Sequence, residues 1–250
     1  MPDALTLALA TPGLGWMALT IFAAGLIRGF TGFGTALIFV PVASQFLPVA
    51  QVILIMAATG IVSTTALLSR AWAAADRGEV ATMAVAALAT VPFGLWLLSL
   101  FDLITARWVI VAFVTVTLVA IAAGWRWHGR LGVSGRLAVG GAAGAMGGMT
   151  GLTGPVIIMF YFANARSAEA MRANSILFLA SLDVFLCFNL LIAGSEIGLT
   201  LWIALVLIPP YLGAVIVGQR LFDPSREQIH RALAYALALA AVISSLPILD

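Results

Sequence analysis

The chain contains no lysine; all twelve of its basic residues are arginines. Charge of either sign is scarce, at 9% of positions against roughly 25% in ordinary soluble domains. A soluble fold needs charged faces between its core positions, and this composition cannot supply them. Its single cysteine, Cys187, lies inside a hydrophobic run, which excludes an intrachain disulfide and leaves the redox compartment open. The two histidines, His128 and His230, fall in arginine-bearing loops, and no His/Cys/carboxylate set forms a metal-binding pattern. No phosphate-binding loop is present. Neither a metal nor a nucleotide cofactor is therefore expected. The opening Met1-Pro2-Asp3 lacks a basic n-region, so a cleaved signal peptide is not expected. Nucleic-acid patches and low-complexity linkers are absent as well.

Hydrophobic residues are what the sequence does have, at 63% of positions. They gather in charge-free runs separated by short loops, the pattern of an all-α polytopic membrane protein. A spanning helix needs about 20 apolar residues. Six runs meet that length: Ala50 to Leu68, Val80 to Leu100, Trp108 to Trp125, Ala173 to Ala193, Leu199 to Gly218 and Ala232 to Leu249. Trp96, Trp108, Trp125, Trp127 and Trp202 fall near span ends, where indole rings anchor helices at the membrane interface.

Two stretches do not fit a single span. Leu14 to Leu47 is too long, since one straight helix of that length would reach roughly 51 Å across a hydrocarbon core of ~30 Å. Leu137 to Ala165 is interrupted by glycines. Each reads as two half-length helices joined at a break. The breaks are copies of one another, 119 residues apart. Ala23-Ala24-Gly25-Leu26-Ile27-Arg28-Gly29-Phe30-Thr31-Gly32-Phe33-Gly34 is echoed by the stretch from Ala142 to Pro155, and seven of the sixteen positions from Ala23 to Ile38 are identical. Paired glycine-interrupted segments in two halves of a chain point to the substrate site of a transporter. The halves are read as a first membrane repeat over 1–130 and a second over 131–250, within one integral membrane domain.

The arginines bear on how often the broken stretches cross. If each crosses once, Arg70, Arg77, Arg126, Arg130 and Arg136 face one side, and Arg107, Arg166, Arg172, Arg220, Arg226 and Arg231 face the other. That even division violates the cytoplasmic excess of basic residues. If each stretch dips in and returns, every loop arginine except Arg107 shares one side. The even count favours two inverted repeats, each a re-entrant or half-helix hairpin plus three spanning helices, with both termini extracytoplasmic. Counting cannot separate a hairpin from two short crossings, although half-helices of roughly 11–16 residues favour the hairpin. Small-xxx-small patterns such as Gly25-x-x-x-Gly29 and Gly140-x-x-x-Gly144 have a simpler reading as close helix contacts.

Half-helices that begin at a break present unpaired amides and the positive end of a dipole. Two such ends facing one another suit an oxyanion. Arg28 is the only arginine inside a membrane segment and can hold an oxygen pair with both arms of its guanidinium. The expected substrate site comprises Arg28, Gly29, Thr31, Gly32, Gly34, Thr150, Gly151, Thr153 and Gly154. Thr35 adds a hydroxyl, and Pro155 suits the first turn of the second descending half-helix. Asp183, central in its span, either pairs with Arg28 or carries a proton coupled to transport. Thr59, Ser63, Thr64, Asn174, Ser181 and Asn189 have the simpler reading of helix-packing polar residues.

The Gly29-to-Gly34 motif, its echo at Gly148 to Gly154 and the two-half layout resemble the TauE/SafE sulfite exporter family, grouped with toluene sulfonate uptake permeases. The resemblance covers almost the whole chain. It implies ATP-independent secondary transport of sulfur-containing oxyanions or organosulfonates, such as sulfite or sulfoacetate, and a bacterial inner-membrane location. The second copy departs from the first, with Thr153-Gly154-Pro155 where Gly34-Thr35-Ala36 stands. A passive anion channel, or a carrier of another small carboxylate, would use the same helix ends. An intramembrane hydrolase would need a base beside Ser63, Ser175 or Ser181, and no histidine accompanies them. The expected partners are thus a small anion, the lipid bilayer and a coupled proton; the oligomeric state is not legible.

Overall fold

Apolar runs without internal charge satisfy their own backbone only as helices in a membrane, and helices are what form. The computed structural model describes residues 2–65, 67–123, 132–154, 156–157, 168–194, 197–221 and 227–246. No strand occurs among them. In chain order the helices are α1 (Pro2–Leu9), α2 (Leu14–Thr31), α3 (Thr35–Ala43), α4 (Val49–Thr65), α5 (Leu68–Ala74), α6 (Arg77–Ser99), α7 (Leu103–Ala122), α8 (Val133–Thr150), α9 (Ala168–Ala193), α10 (Ile197–Arg220) and α11 (Glu227–Ser244). Pro155, Trp125, Trp127, Arg126, His128, Arg130, Arg166 and Arg226 lie outside the described residues, as do the side chains of Arg70, His230 and Arg231.

Five described helices are long and apolar enough to cross a membrane: α2, α6, and the stretches Leu103–Ala120, Ala170–Ala193 and Ile197–Arg220. This corrects the expectation for the first broken stretch, whose arms are unequal. α2 has 18 residues and α3 has 9, so the first arm is ~27 Å long and the second ~14 Å. α8 likewise runs 18 residues to its break, because its helix begins ahead of the apolar run, at Val133. The run from Ala50 to Leu68 is also divided, since α4 ends at Thr65 and α5 starts at Leu68.

The two breaks are built alike. α2 ends on Gly32 in the left-handed region (φ 84°), whose N–H donates to the Arg28 carbonyl. α8 ends on Gly151 (φ 74°), whose N–H donates to the Gly147 carbonyl. This left-handed cap is what glycine permits at low cost.

The packing partners correspond as well. α2 lies along α10 and α8 lies along α6. A Cβ added to Gly29 would stand 2.5 Å from the Val215 carbonyl oxygen, and one on Gly148 would stand 2.5 Å from that of Val91. In return, Gly218 admits the Leu26 carbonyl and Gly94 admits that of Ala145. In both pairs the contacts advance together along the two chains, so each pair runs parallel. Gly25, Gly29, Gly140 and Gly144 thus serve as close-contact glycines, and Gly29 does so at the edge of the break.

Candidate functional site

The left-handed glycines Gly32 and Gly34 join α2 to α3, and a Cβ on Gly34 would stand 3.2 Å from the Ile27 side chain near the end of α2. Gly34, itself left-handed at φ 98°, starts α3 without a side-chain cap. The amides of the first α3 turn therefore have no helical acceptor behind them. Gly154 lies across from this point, where a Cβ would come within 4.0 Å of the Gly34 nitrogen and the Phe33 Cβ. The two breaks meet.

A cavity opens where they meet, lined by Arg28, Gly34, Thr35, Ala36, Leu37, Met56, Thr153, Gly154, Leu179 and Asp183. Its free heart is about 20 Å³, room for one or two waters. The lining must part to admit a sulfite-sized guest. Arg28 is only 4% exposed, and its Nη2 donates to Thr64 Oγ1 at 3.1 Å. The same Nη2 stands 3.8 Å from Asp183 Oδ2, close for an ion pair but too long for a hydrogen bond. Of the buried polar side-chain atoms without a hydrogen-bond partner among the described residues, Arg28 Nε and Asp183 Oδ2 are the two whose residues line this cavity. A basic and an acidic side chain thus each keep an unused position beside it.

A second layer stands behind Thr35. The fully buried Tyr211 of α10 holds its hydroxyl 2.8 Å from Thr35 Oγ1. Tyr211 is absent from the sequence reading, although one signal was available: it directly follows Pro209-Pro210, a disruption inside an otherwise unbroken apolar helix. Thr64, read as a packing residue, is the direct partner of Arg28.

The expected site residues divide into two groups. Arg28, Gly34, Thr153, Gly154 and Asp183 line the cavity. Gly29, Thr31, Gly32, Thr150 and Gly151 build the breaks instead. Thr31 Oγ1 lies within donating distance of the Ile27 and Phe33 carbonyls, its one proton serving one of them, and accepts from the Phe33 amide, while Thr150 Oγ1 donates to the Met146 carbonyl and accepts from the Leu152 amide. Their hydroxyls hold the turn closed. Gly32 and Gly151 supply its left-handed geometry.

Three serines of α4 and α9 bond within their own helices. Ser63, Ser175 and Ser181 donate to the carbonyls of Gly60, Met171 and Phe178. Two arginines read as loop residues are placed differently. Arg107 is buried within α7, its Nη2 3.5 Å from the Ser245 carbonyl, and Arg172 in α9 donates at 2.7 Å to the Gly29 carbonyl. Among the described residues, no group of three or more His, Cys, Asp or Glu could hold a metal ion.

Residues 17–244, nearly the whole chain, match a protein family described as sulfite exporter TauE/SafE. No curated protein and no solved structure matches.

Proposed function

The chain belongs to the sulfite exporter TauE/SafE family, and on that premise we propose that it is a secondary transporter of small sulfur-containing oxyanions or organosulfonates, working by alternating access. It is an integral membrane protein. The observation that carries the proposal is the cavity between the breaks, where the buried Arg28 Nε lacks a partner and the first turn of α3 forms part of the lining. An oxyanion would accept from the guanidinium and from the free amides of that turn. Arg28, Gly34, Thr35, Thr153 and Gly154 bind it in this reading, while Gly29, Thr31, Gly32, Thr150 and Gly151 keep the breaks in shape.

Asp183 sets the terms of binding. An anion that enters beside it meets a like charge, and Arg28 cannot fully serve both. Protonation of Asp183 removes the repulsion and frees Arg28 for the substrate. The proton and the anion then move together.

The two membrane repeats, 1–130 and 131–250, are inverted in this account. The matched caps and matched glycine contacts support the repeat. Support for the inversion comes from α4 and α9. The Thr64 end of α4 shares Arg28 with Asp183. The chain beyond it travels toward the start of α9, where the Asp76 amide donates to Asn174 Oδ1 at 2.8 Å. α4 and α9 thus run antiparallel. The proposed orientation places both termini on the extracytoplasmic face of a bacterial inner membrane.

Purified protein in sealed proteoliposomes tests the activity, with sulfite, sulfoacetate and taurine offered with and without a pH gradient. Saturable uptake of a sulfur anion, stimulated by the same anion on the far side, is the expected result. Flux that neither saturates nor responds to trans substrate would indicate a channel, and no flux of any of the three would overturn the substrate class.

A further inference from the structure

We propose that Arg172 is a positioning residue for the transported anion: it pins the end of α2 to α9, and so keeps Arg28 at the cavity while Arg28 exchanges Asp183 for the substrate. The inference rests on the anion-carrier reading of the site and deepens it.

The pin meets a need that the break itself creates. In a continuing helix the Phe33 amide would return to the Gly29 carbonyl, one turn back. It donates instead to Thr31 Oγ1 at 3.3 Å, while the Gly32 amide goes to the Arg28 carbonyl. The Gly29 carbonyl thereby loses its helical partner at the negative end of α2. Arg172 Nη2 donates to it at 2.7 Å, a short contact of the charge-assisted kind. The same side chain packs on the turn, since a Cβ on Gly32 would stand 3.0 Å from Arg172 Cγ and 3.6 Å from Ile176 Cγ1.

Arg172 shares a face of α9 with the cavity. Arg172, Ile176, Leu179 and Asp183 follow one another at helical spacing. The first two meet the turn, and the last two line the cavity. α9 is therefore tied to the end of α2 at two places, roughly 16 Å apart along its axis. At one, Arg172 holds the Gly29 carbonyl; at the other, Arg28 stands 3.8 Å from Asp183. The two ties differ in what can break them. An entering anion competes with Asp183 for Arg28, whereas Arg172 and Gly29 lie outside the cavity lining. The second break has no such pin. Its Leu152 amide is likewise turned to Thr150 Oγ1, but Val49 stands in α4 where Arg172 stands in α9, and its side chain has no donor.

Sulfite affinity, maximal rate and melting temperature, measured for Arg172→Met and Arg172→Lys, test the proposal. Methionine fills similar space without a donor, and lysine keeps a cationic one. The expected result is sulfite affinity weakened about tenfold in Arg172→Met, the scale of a lost hydrogen bond to a charged group, and largely restored in Arg172→Lys. A merely structural Arg172 would lower the melting temperature and the folded yield, while the folded protein bound sulfite as the wild type does. Wild-type affinity in Arg172→Met, or a lysine variant as weak as the methionine one, would overturn the assignment and leave the carrier reading intact. If methionine prevents folding, Arg172→Gln, with a shorter polar side chain, takes its place with the same outcomes. Wild-type protein that binds no sulfite, sulfoacetate or taurine would overturn the carrier reading, and the role of Arg172 with it.

Discussion

Asp183 and Gly60 occupy each other's space: a Cβ on Gly60 would run into the Asp183 carboxylate. The two residues also correspond in sequence. Ile53-Leu54-Ile55-Met56-Ala57-Ala58 leads to Gly60 as Ile176-Leu177-Phe178-Leu179-Ala180-Ser181 leads to Asp183. Equivalent residues that touch one another lie where a two-fold relation between the repeats would have its axis. Only one of the two can carry a side chain. Gly60 gives up its side chain, and Asp183 places a carboxyl group beside Arg28.

Gly60→Ala should therefore act on Asp183. The added methyl forces the carboxylate aside or separates α4 from α9, and transport should fall at least tenfold, the scale of a misplaced binding group. Gly213→Ala, with nothing near its would-be Cβ, should transport normally. Flux per mole of reconstituted protein decides, and equal flux in both variants would remove Asp183 from the cycle.

Asp183→Asn keeps the shape of the side chain and removes its titration. Uptake driven by a pH gradient should be lost, while exchange of anion for anion persists. The check is counterflow with equal pH on both sides of the membrane. A variant that still accumulates substrate against its gradient when a proton gradient is imposed would place coupling elsewhere.

Gly148→Ala should destabilise rather than uncouple. Its methyl would press on the Val91 carbonyl and the Leu95 nitrogen, and overpacking of this kind costs ~1–3 kcal/mol. A lower melting temperature in detergent is expected, and Gly29→Ala should match it against α10. Gly141→Ala, where the nearest atom is a Thr90 methyl at 3.6 Å, should melt like the wild type.

Outside the spans, the Thr105 hydroxyl, with the amides of Thr105 and Ile104, holds the Asp102 carboxyl below its ordinary value at the start of α7. A depressed carboxylate favours the fold above its unfolded pKa, and that benefit fades as pH falls through the folded value. Thr105→Val should raise the Asp102 titration midpoint toward 3.8. Carboxyl-resolved NMR titration in detergent is the check.

Much of this architecture was legible because membranes narrow the choices. Apolar runs free of charge had to be helices, and α6 and α10 fall within three residues of the runs that announce them. The breaks were legible from Gly32 and Gly151, since a repeated glycine in a spanning segment marks a backbone turn. The lengths of α2 and α8 were not. Helix ends ahead of a break depend on caps and loops that hydrophobicity does not register. The site was half legible. Arg28 and Asp183 stood out as intramembrane charges, but Thr64 reaches Arg28, and Tyr211 reaches Thr35, through helix contacts distant in sequence. Thr31 and Thr150 carry the right hydroxyls for a ligand, yet the turn itself uses them first.

The central claim is that Arg28 holds the transported anion, and sulfite binding to purified Arg28→Gln beside the wild type tests it most directly. The glutamine should retain a folded, monodisperse protein and lose saturable sulfite binding by at least a hundredfold, the scale of a buried charge-assisted contact. A glutamine variant that binds sulfite as the wild type does would contradict the account and move the site away from the meeting point of the two breaks.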